Sequence, residues 1–122
     1  MRKLIFGLFI AFLPALGLAA GAAVQLDTMS PDHTNKESLQ RGAALFTNYC
    51  MGCHSMEYAR YKRVSDDLEI PVALYEENLI FTGAKIGELM KISMNKGMAA
   101  DWFGAPPPDL TLETRLRGES WV

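Results

Sequence analysis

Hydrophobic residues set the divisions of this chain. From Leu4 to Leu18 they run with a break at Pro14, behind the positive start Met1-Arg2-Lys3 and ahead of the small residues Ala19-Ala20-Gly21-Ala22-Ala23. That is the n-, h- and c-region order of a secretory signal peptide. Ala20-Gly21-Ala22 offers a cleavage site, with Leu18-Ala19-Ala20 as an alternative, and residues 1–22 are assigned to the leader. An uncleaved anchor competes, since Leu4 to Ala23 would just span a bilayer with tilt. Pro14 and the small residues favour cleavage.

Beyond the leader the pattern turns polar, and Pro31 lies within it, so residues 23–37 read as a linker or arm. Thr34-Asn35-Lys36-Glu37 fits a capping box, with Thr34 accepting from a free amide and Glu37 reaching back. A helix over Lys36 to Asn48 follows, with Leu39, Gly42, Ala43, Phe46 and Tyr49 on one face at spacings of three and four. Gly42 on that face would let another helix approach closely. Ser55 to Ile70 is charged and aromatic and reads as loop with some helical turn. Pro71 can open a helix running to about Phe81, and Gly83 breaks the pattern. A further helix is expected from Ala84 to about Met94, with Ile86, Leu89, Met90 and Met94 along one side and Gly97 ending it. Gly104 to Pro108 must be loop, and Thr111 to Arg117 begins one more helix. No alternating strand pattern and no repeat is visible, so the fold class expected is all-α.

Composition narrows the function classes. The 122 residues suit one domain, with residues 38–122 as its body. Net charge is -2, and the leader holds two basic and no acidic residues, so cleavage leaves -4. Nothing here forms a basic patch for nucleic acid or an acidic tail. The mildly acidic surface would help a basic soluble partner dock, although such a balance is also ordinary for solubility. Asp66, Asp67, Glu76 and Glu77 are neighbouring acids on polar stretches and read as solvated. No hydrolytic or group-transfer site is indicated.

The chemistry lies in Cys50-Met51-Gly52-Cys53-His54, a Cys-x-x-Cys-His motif. In such a motif each thiol adds to one vinyl group of haem, and the histidine after the second cysteine places an imidazole nitrogen on the iron. Export fits, because haem is attached to such motifs outside the cytoplasm. Three other readings compete. A thioredoxin-like redox pair would sit beside a βαβ pattern, and none is visible. A zinc site needs two more ligands, yet the only other histidine is His33 and there are no further cysteines. A plain disulfide or coincidence is the third. Covalent haem c on Cys50 and Cys53 with His54 as proximal iron ligand is the expectation, and with it electron transfer.

The sixth iron ligand is less defined. Met90 and Met94 fit the helix stripe as core residues. Met98, just past Gly97, is the freest candidate, whereas Met51 and Met56 lie too close to the proximal side. Pro106, Pro107 and Pro108 stiffen a loop that lacks three successive backbone donors. It is either a connector or a wall against the haem. Trp102 and Phe103 are expected to pack in the core or on haem. Arg115 or Arg117 could pair with a haem propionate, since guanidinium matches carboxylate.

Longer stretches carry a resemblance. Leu39-Gln40-Arg41-Gly42-Ala43, Asn48-Tyr49-Cys50 through Ser55, and Tyr58-x-Arg60-Tyr61-x-Arg63 resemble the cytochrome c1 family, the haem c subunits of the cytochrome bc1 complex. So do Asn78 to Thr82, Lys85 to Glu88, Trp102-Phe103-Gly104-Ala105-x-Pro107-Pro108-Asp109-Leu110 and Arg115-x-Arg117-Gly118. The pieces keep the family's order from about Ser38 to Trp121, and bacterial members are most alike. The resemblance implies a class I cytochrome c-like fold. It implies passage of single electrons from the Rieske iron–sulfur protein to a soluble or membrane-bound cytochrome c, beside cytochrome b in a quinol–cytochrome c oxidoreductase. The location implied is the periplasmic side of the inner membrane, with membrane association through that complex. By position, Cys50 and Cys53 bind the haem, His54 is the proximal ligand, Pro107 and Pro108 border the haem, and Arg117 faces a propionate. The family continues past this length, and its axial methionine and C-terminal membrane helix lie in the later part. The chain is therefore expected to be the N-terminal portion of such a protein, truncated at its C-terminus, with the Gly42/Phe46 face lacking a partner helix.

Two alternatives remain: a free periplasmic class I cytochrome c using Met98, and a thiol–disulfide oxidoreductase using Cys50 and Cys53 without haem.

Overall fold

The computed structural model describes residues 24–122, so the leader assigned to residues 1–22 lies outside the described residues. In chain order come helix α1 (Lys36–Leu45), a π-helical turn (Phe46–Cys50), strand β1 (Met56–Arg60), helix α2 (Tyr61–Asp67) and helix α3 (Val72–Leu79). Strand β2 (Leu89–Met90), helix α4 (Lys96–Phe103), helix α5 (Glu113–Arg117) and a 3-10 turn (Glu119–Trp121) complete it.

α1 begins one residue away from the predicted box. The Thr34 amide and hydroxyl both donate to Asp32 Oδ1, which removes Thr34 as a cap. Asn35 takes the position, its Oδ1 accepting from the Ser38 amide at 3.0 Å. The helix faces the core with Ala44 and, past its end, Phe46. At Gly42 a Cβ would meet nothing within 4 Å, so the face expected to receive another helix is open among the described residues.

The all-α expectation needs correction: the domain is helix-rich but carries a small sheet. β1 and β2 pair antiparallel, with Met56 opposite Met90 and Arg60 opposite Leu89 across an irregular register. Pairing continues past the strands, where the Tyr61 amide donates to Glu88 O at 3.2 Å and the Lys62 amide to Ile86 O at 2.7 Å. The segment from Ala84 to Met94, expected to be helical, is therefore not a helix. Its apolar residues are too few to distinguish helix from buried strand by period alone. Gly87 within it weakens a helix by about 1 kcal/mol relative to alanine. Gly97 likewise does not end a helix but lies in the first turn of α4. There the Asn95 side chain accepts from the Gly97 amide at 2.9 Å and the Met98 amide at 3.2 Å. A Cβ at Gly97 would sit 3.1 Å from that same Asn95 oxygen, so glycine leaves room for the cap.

α2 is braced by exposed i,i+4 pairs Lys62–Asp66 and Arg63–Asp67. It ends on Glu69 at φ 57. The Glu69 amide donates to Asp66 O at 3.1 Å and the Ile70 amide to Ser65 O at 3.0 Å. That is a Schellman closure with glutamate where glycine is usual. Gln40 Nε2 donates to Leu68 O at 2.8 Å, tying α1 to the end of α2.

The core is small. Met51, Tyr61, Tyr75, Leu79 and Met90 form it, with half-buried apolar residues of β1 and α2 among those packed around. Tyr61 and Tyr75 meet edge to face at 6.3 Å between centroids. Ser65 and Thr47 are buried but bonded, to Ile70 O and Ala43 O respectively. The Tyr75 hydroxyl is buried without a partner. The arm before α1 reaches the far end of the domain, where the Met29 amide donates to Ser120 Oγ at 2.9 Å and His33 lies 3.3 Å from Glu119. Among the described residues no helix is long and apolar enough to cross a membrane.

Candidate functional site

The Cys-x-x-Cys-His segment begins where α1 widens. From Phe46 to Cys50 the helix takes the π form, and the Met51 amide donates to Phe46 O, five residues back, at 2.9 Å. Single π turns recur at functional sites because they redirect side chains by one position. The chain then folds tightly, with the Cys53 and His54 amides both donating to Cys50 O, at 3.0 and 2.9 Å. Met51 enters the core at 6% exposure and anchors this turn from inside. Cys50 and Cys53 are left exposed, both as free thiols.

The opposite wall is the proline loop. α4 closes at Gly104, whose φ of 80 is the left-handed cap that glycine adopts freely, and its amide donates to Ala100 O. Pro106, Pro107 and Pro108 follow. His54 Nδ1 lies 2.8 Å from Pro108 O. A carbonyl oxygen only accepts, so Nδ1 carries the hydrogen, which leaves Nε2 as the ring nitrogen that can bind a metal. This is the arrangement in which a metal-binding imidazole is oriented by a backbone carbonyl on its other nitrogen.

Two further contacts zip the loop to the segment after the motif. The Leu110 amide donates to Ser55 O at 2.9 Å. Asp109 accepts from the Glu57 amide at 2.6 Å through Oδ2 and from the Thr111 amide at 3.0 Å through Oδ1. Ser55 Oγ in turn accepts from the Ile92 amide at 3.0 Å, drawing the segment after β2 against the same place. Burial acts to raise the Asp109 pKa. The Thr111 hydroxyl, the Glu57 and Thr111 amides and the Lys96 charge together outweigh it, and the carboxyl stays below its ordinary value of 3.8.

Between these walls lies a cavity of about 250 Å³. It is lined by Cys53 and Ser55 after the motif, by Pro106 to Asp109 of the loop, and by apolar Ile92, Met94 and Ala99, with Glu57, Lys91 and Lys96 also contributing. Trp102 and Phe103 follow Ala99 by three and four residues on α4, hence on its face. They are 59% and 58% exposed, so the core expected as one option for them does not hold them.

The donor set decides what could be held. Among the described residues no group of three or more His, Cys, Asp or Glu gathers to hold an ion. Two exposed thiols and one pinned imidazole are too few for a bare metal. They suit a porphyrin, which brings four nitrogens of its own and needs only tethers and an axial base. The residues present thus fit a haem c.

Of the residues singled out from sequence, Cys53, Pro107 and Pro108 share the cavity, and His54 is joined to Pro108. Arg117 is elsewhere: its guanidinium pairs with Glu113 at 2.6 Å and stacks on Trp121 at 4.3 Å from the ring centre. Arg115 is exposed on the same helix. Met90 lies in the core as expected, Met94 lines the cavity, and Met98 is exposed. Met51, Ser55 and Asp109 take roles here that their sequence pattern does not announce, apart from the turn at Asp109-x-Thr111: an aspartate bonding the amide two residues on marks an Asx-turn.

A model of the Cytochrome C1 family matches residues 28–106. The chain is 46% identical to the cytochrome c1 of Allochromatium vinosum over 122 residues, which is 100% of this chain and 50% of that protein. It is 40% identical over 123 residues to the ammonia monooxygenase gamma subunit of Nitrosomonas europaea, 100% of this chain and 52% of that one. The chain thus spans about half the length of the curated relatives it matches.

Proposed function

The chain belongs to the cytochrome c1 family, and from that membership we propose that it holds one covalent haem c and passes single electrons at the periplasmic face of a bacterial inner membrane. The donor in this reading is the Rieske iron–sulfur protein and the acceptor a soluble or membrane-bound cytochrome c. The setting is a quinol–cytochrome c oxidoreductase beside cytochrome b, which also provides the membrane association. By itself the chain is an electron carrier; quinol oxidation belongs to the other subunits.

The observation that carries the proposal is the His54 imidazole, adjacent in sequence to Cys53 and held by Pro108 O at 2.8 Å with Nε2 free. Cys50 and Cys53 would tether the ring, and His54 would be its proximal base. The bound haem supplies a reversible one-electron site. The protein's own part is to fix the axial base and to line one side with apolar surface. Pro107 and Pro108 border the group. Arg117 is the candidate for a propionate, which would compete with Glu113 for the guanidinium.

Expression in an exporting, haem-maturing host tests this. The mature chain should weigh one haem more than its amino acids and show a c-type haem spectrum. Cys50→Ala together with Cys53→Ala should abolish the covalent attachment. A correctly exported chain with no attached haem and a cycling Cys50–Cys53 disulfide would overturn the reading in favour of a thiol oxidoreductase. Co-purification with cytochrome b and the Rieske protein tests the complex, and its absence alongside a methionine-type band lost in Met98→Ala would instead indicate a free carrier.

A further inference from the structure

The proline loop has a mechanical problem that its own backbone does not solve. Residues 106–108 are all proline, so three successive positions lack an N–H to bind neighbouring strands. Yet this segment presents the carbonyl that holds His54. Something beyond the prolines must fix it.

Two anchors do so immediately downstream. One is the Leu110 amide on Ser55 O at 2.9 Å. The other is the Asp109 carboxylate, which bridges the Glu57 and Thr111 amides at 2.6 and 3.0 Å. Hydrogen bonds to an ionised acceptor are about twice as strong as neutral ones. The Glu57 amide belongs to β1, three residues after His54. Asp109 therefore ties the loop to the strand that leaves the motif, and Pro108 O and His54 Nδ1 are closed into a ring of short contacts running through Ser55, Glu57, Asp109 and Leu110.

We propose that Asp109 is a positioning residue for the axial base: by fixing the proline loop it sets the length of the His54–Pro108 hydrogen bond, and through it the donor strength of the imidazole. The inference rests on the reading of His54 as proximal ligand. A strongly bonded Nδ1–H makes the imidazole a better donor and favours the oxidised iron. A loosened loop lengthens that bond, weakens the donor and favours the reduced iron.

The test uses the exported, haem-loaded chain and Asp109→Asn. Asparagine keeps an oxygen for the Thr111 amide but turns an NH2 group toward the Glu57 amide, donor against donor. The ratio of reduced to oxidised protein at a fixed poise should rise about tenfold, the order expected for losing an outer contact of a metal ligand, which is about 59 mV for one electron. The His54 ring N–H signal should exchange with solvent faster by a similar factor. Glu57→Gln is the charge control: it removes a carboxylate lining the same cavity but keeps the backbone amide, and should move the ratio far less and leave ring exchange alone. Should Asp109→Asn fail to mature, Thr111→Val keeps the amide that binds Asp109 but removes the hydroxyl that lowers the Asp109 pKa and accepts from the Tyr58 amide of β1 at 3.4 Å. It loosens the same loop and should shift both readouts in the same direction. Equal potential shifts in Asp109→Asn and Glu57→Gln would overturn the proposal, as would unchanged ring exchange in Asp109→Asn, or in Thr111→Val where that variant stands in. A wild-type chain exported without haem overturns the proposed function instead, so the two failures are distinguishable.

Discussion

Replacing Tyr75 with phenylalanine should make the protein more stable, not less. Tyr75 is fully buried at 0% exposure, and its hydroxyl has no hydrogen-bond partner. A hydroxyl moved from water to an apolar site without a partner costs roughly 1–3 kcal/mol. Phenylalanine keeps the ring against Tyr61 and fills nearly the same volume, so the gain should be about 1 kcal/mol. For a domain of this size that is a rise of roughly 4–8 °C in Tm. The alkaline limb gives an independent check. Burial first, and the neighbouring Tyr61 second, push the Tyr75 pKa up from 10.0 to about 12. The folded state therefore holds the neutral phenol while the unfolded chain ionises near 10. The stability this confers is full below about pH 10 and is lost as pH rises toward 12. Two units at about 1.36 kcal/mol each make the loss roughly 2–3 kcal/mol. Urea unfolding of both proteins at neutral pH and through the alkaline range measures both effects. Tyr75→Phe should start higher and fall less steeply above pH 10. A variant less stable at neutral pH would mean that the hydroxyl is bonded, for instance to a buried water, and parallel alkaline limbs would refute the titration argument.

Glu69→Gly should add roughly 1 kcal/mol at the end of α2, because a side chain at φ 57 carries a left-handed penalty that glycine escapes; a lower Tm would show that the exposed Lys36–Glu69 contact outweighs it. Met51→Ala should cost about 2–5 kcal/mol by emptying a core position and should lower the yield of haem-loaded protein, read from the ratio of haem absorbance to protein; an unchanged ratio would show that the turn needs no internal anchor. Acid should weaken the domain through Asp109. Its carboxyl lies below 3.8 when folded, so its contribution is full above that value and disappears as pH falls through the lower folded value. Asp109→Asn should flatten that acid limb in unfolding experiments below about pH 4, and an identical limb in the variant would refute the assignment.

Some of this protein is written in short range, and that part was legible in the residues alone. Cys50, Cys53 and His54 lie together because they are neighbours in one turn, so their juxtaposition can be read without knowing the fold. Helix α1 and helix α3 are also local: periodic apolar faces, a polar cap before one and a proline before the other specify them almost independently of context. The loop read from Gly104 to Pro108 is local too, and Gly104 opens it at positive φ.

Other features needed the folded chain. Residues 84–94 carry a spacing compatible with helix, yet they form a turn at 86–87 and the short strand Leu89–Met90, because β1, some thirty residues earlier, offered free backbone groups and an apolar surface. Period cannot reveal a partner that lies elsewhere in the sequence. The same holds for Met51, which looks like a spacer inside the motif until the core forms around it. It holds most of all for Pro108 and Asp109. Their types announce a stiff turn, but only the fold brings them, more than fifty residues downstream, against His54 and Glu57. A sequence names the groups that can react, since reactivity is a property of each side chain. Which of them are oriented and which are spare depends on non-local hydrogen bonds, and those exist only once the chain has closed on itself.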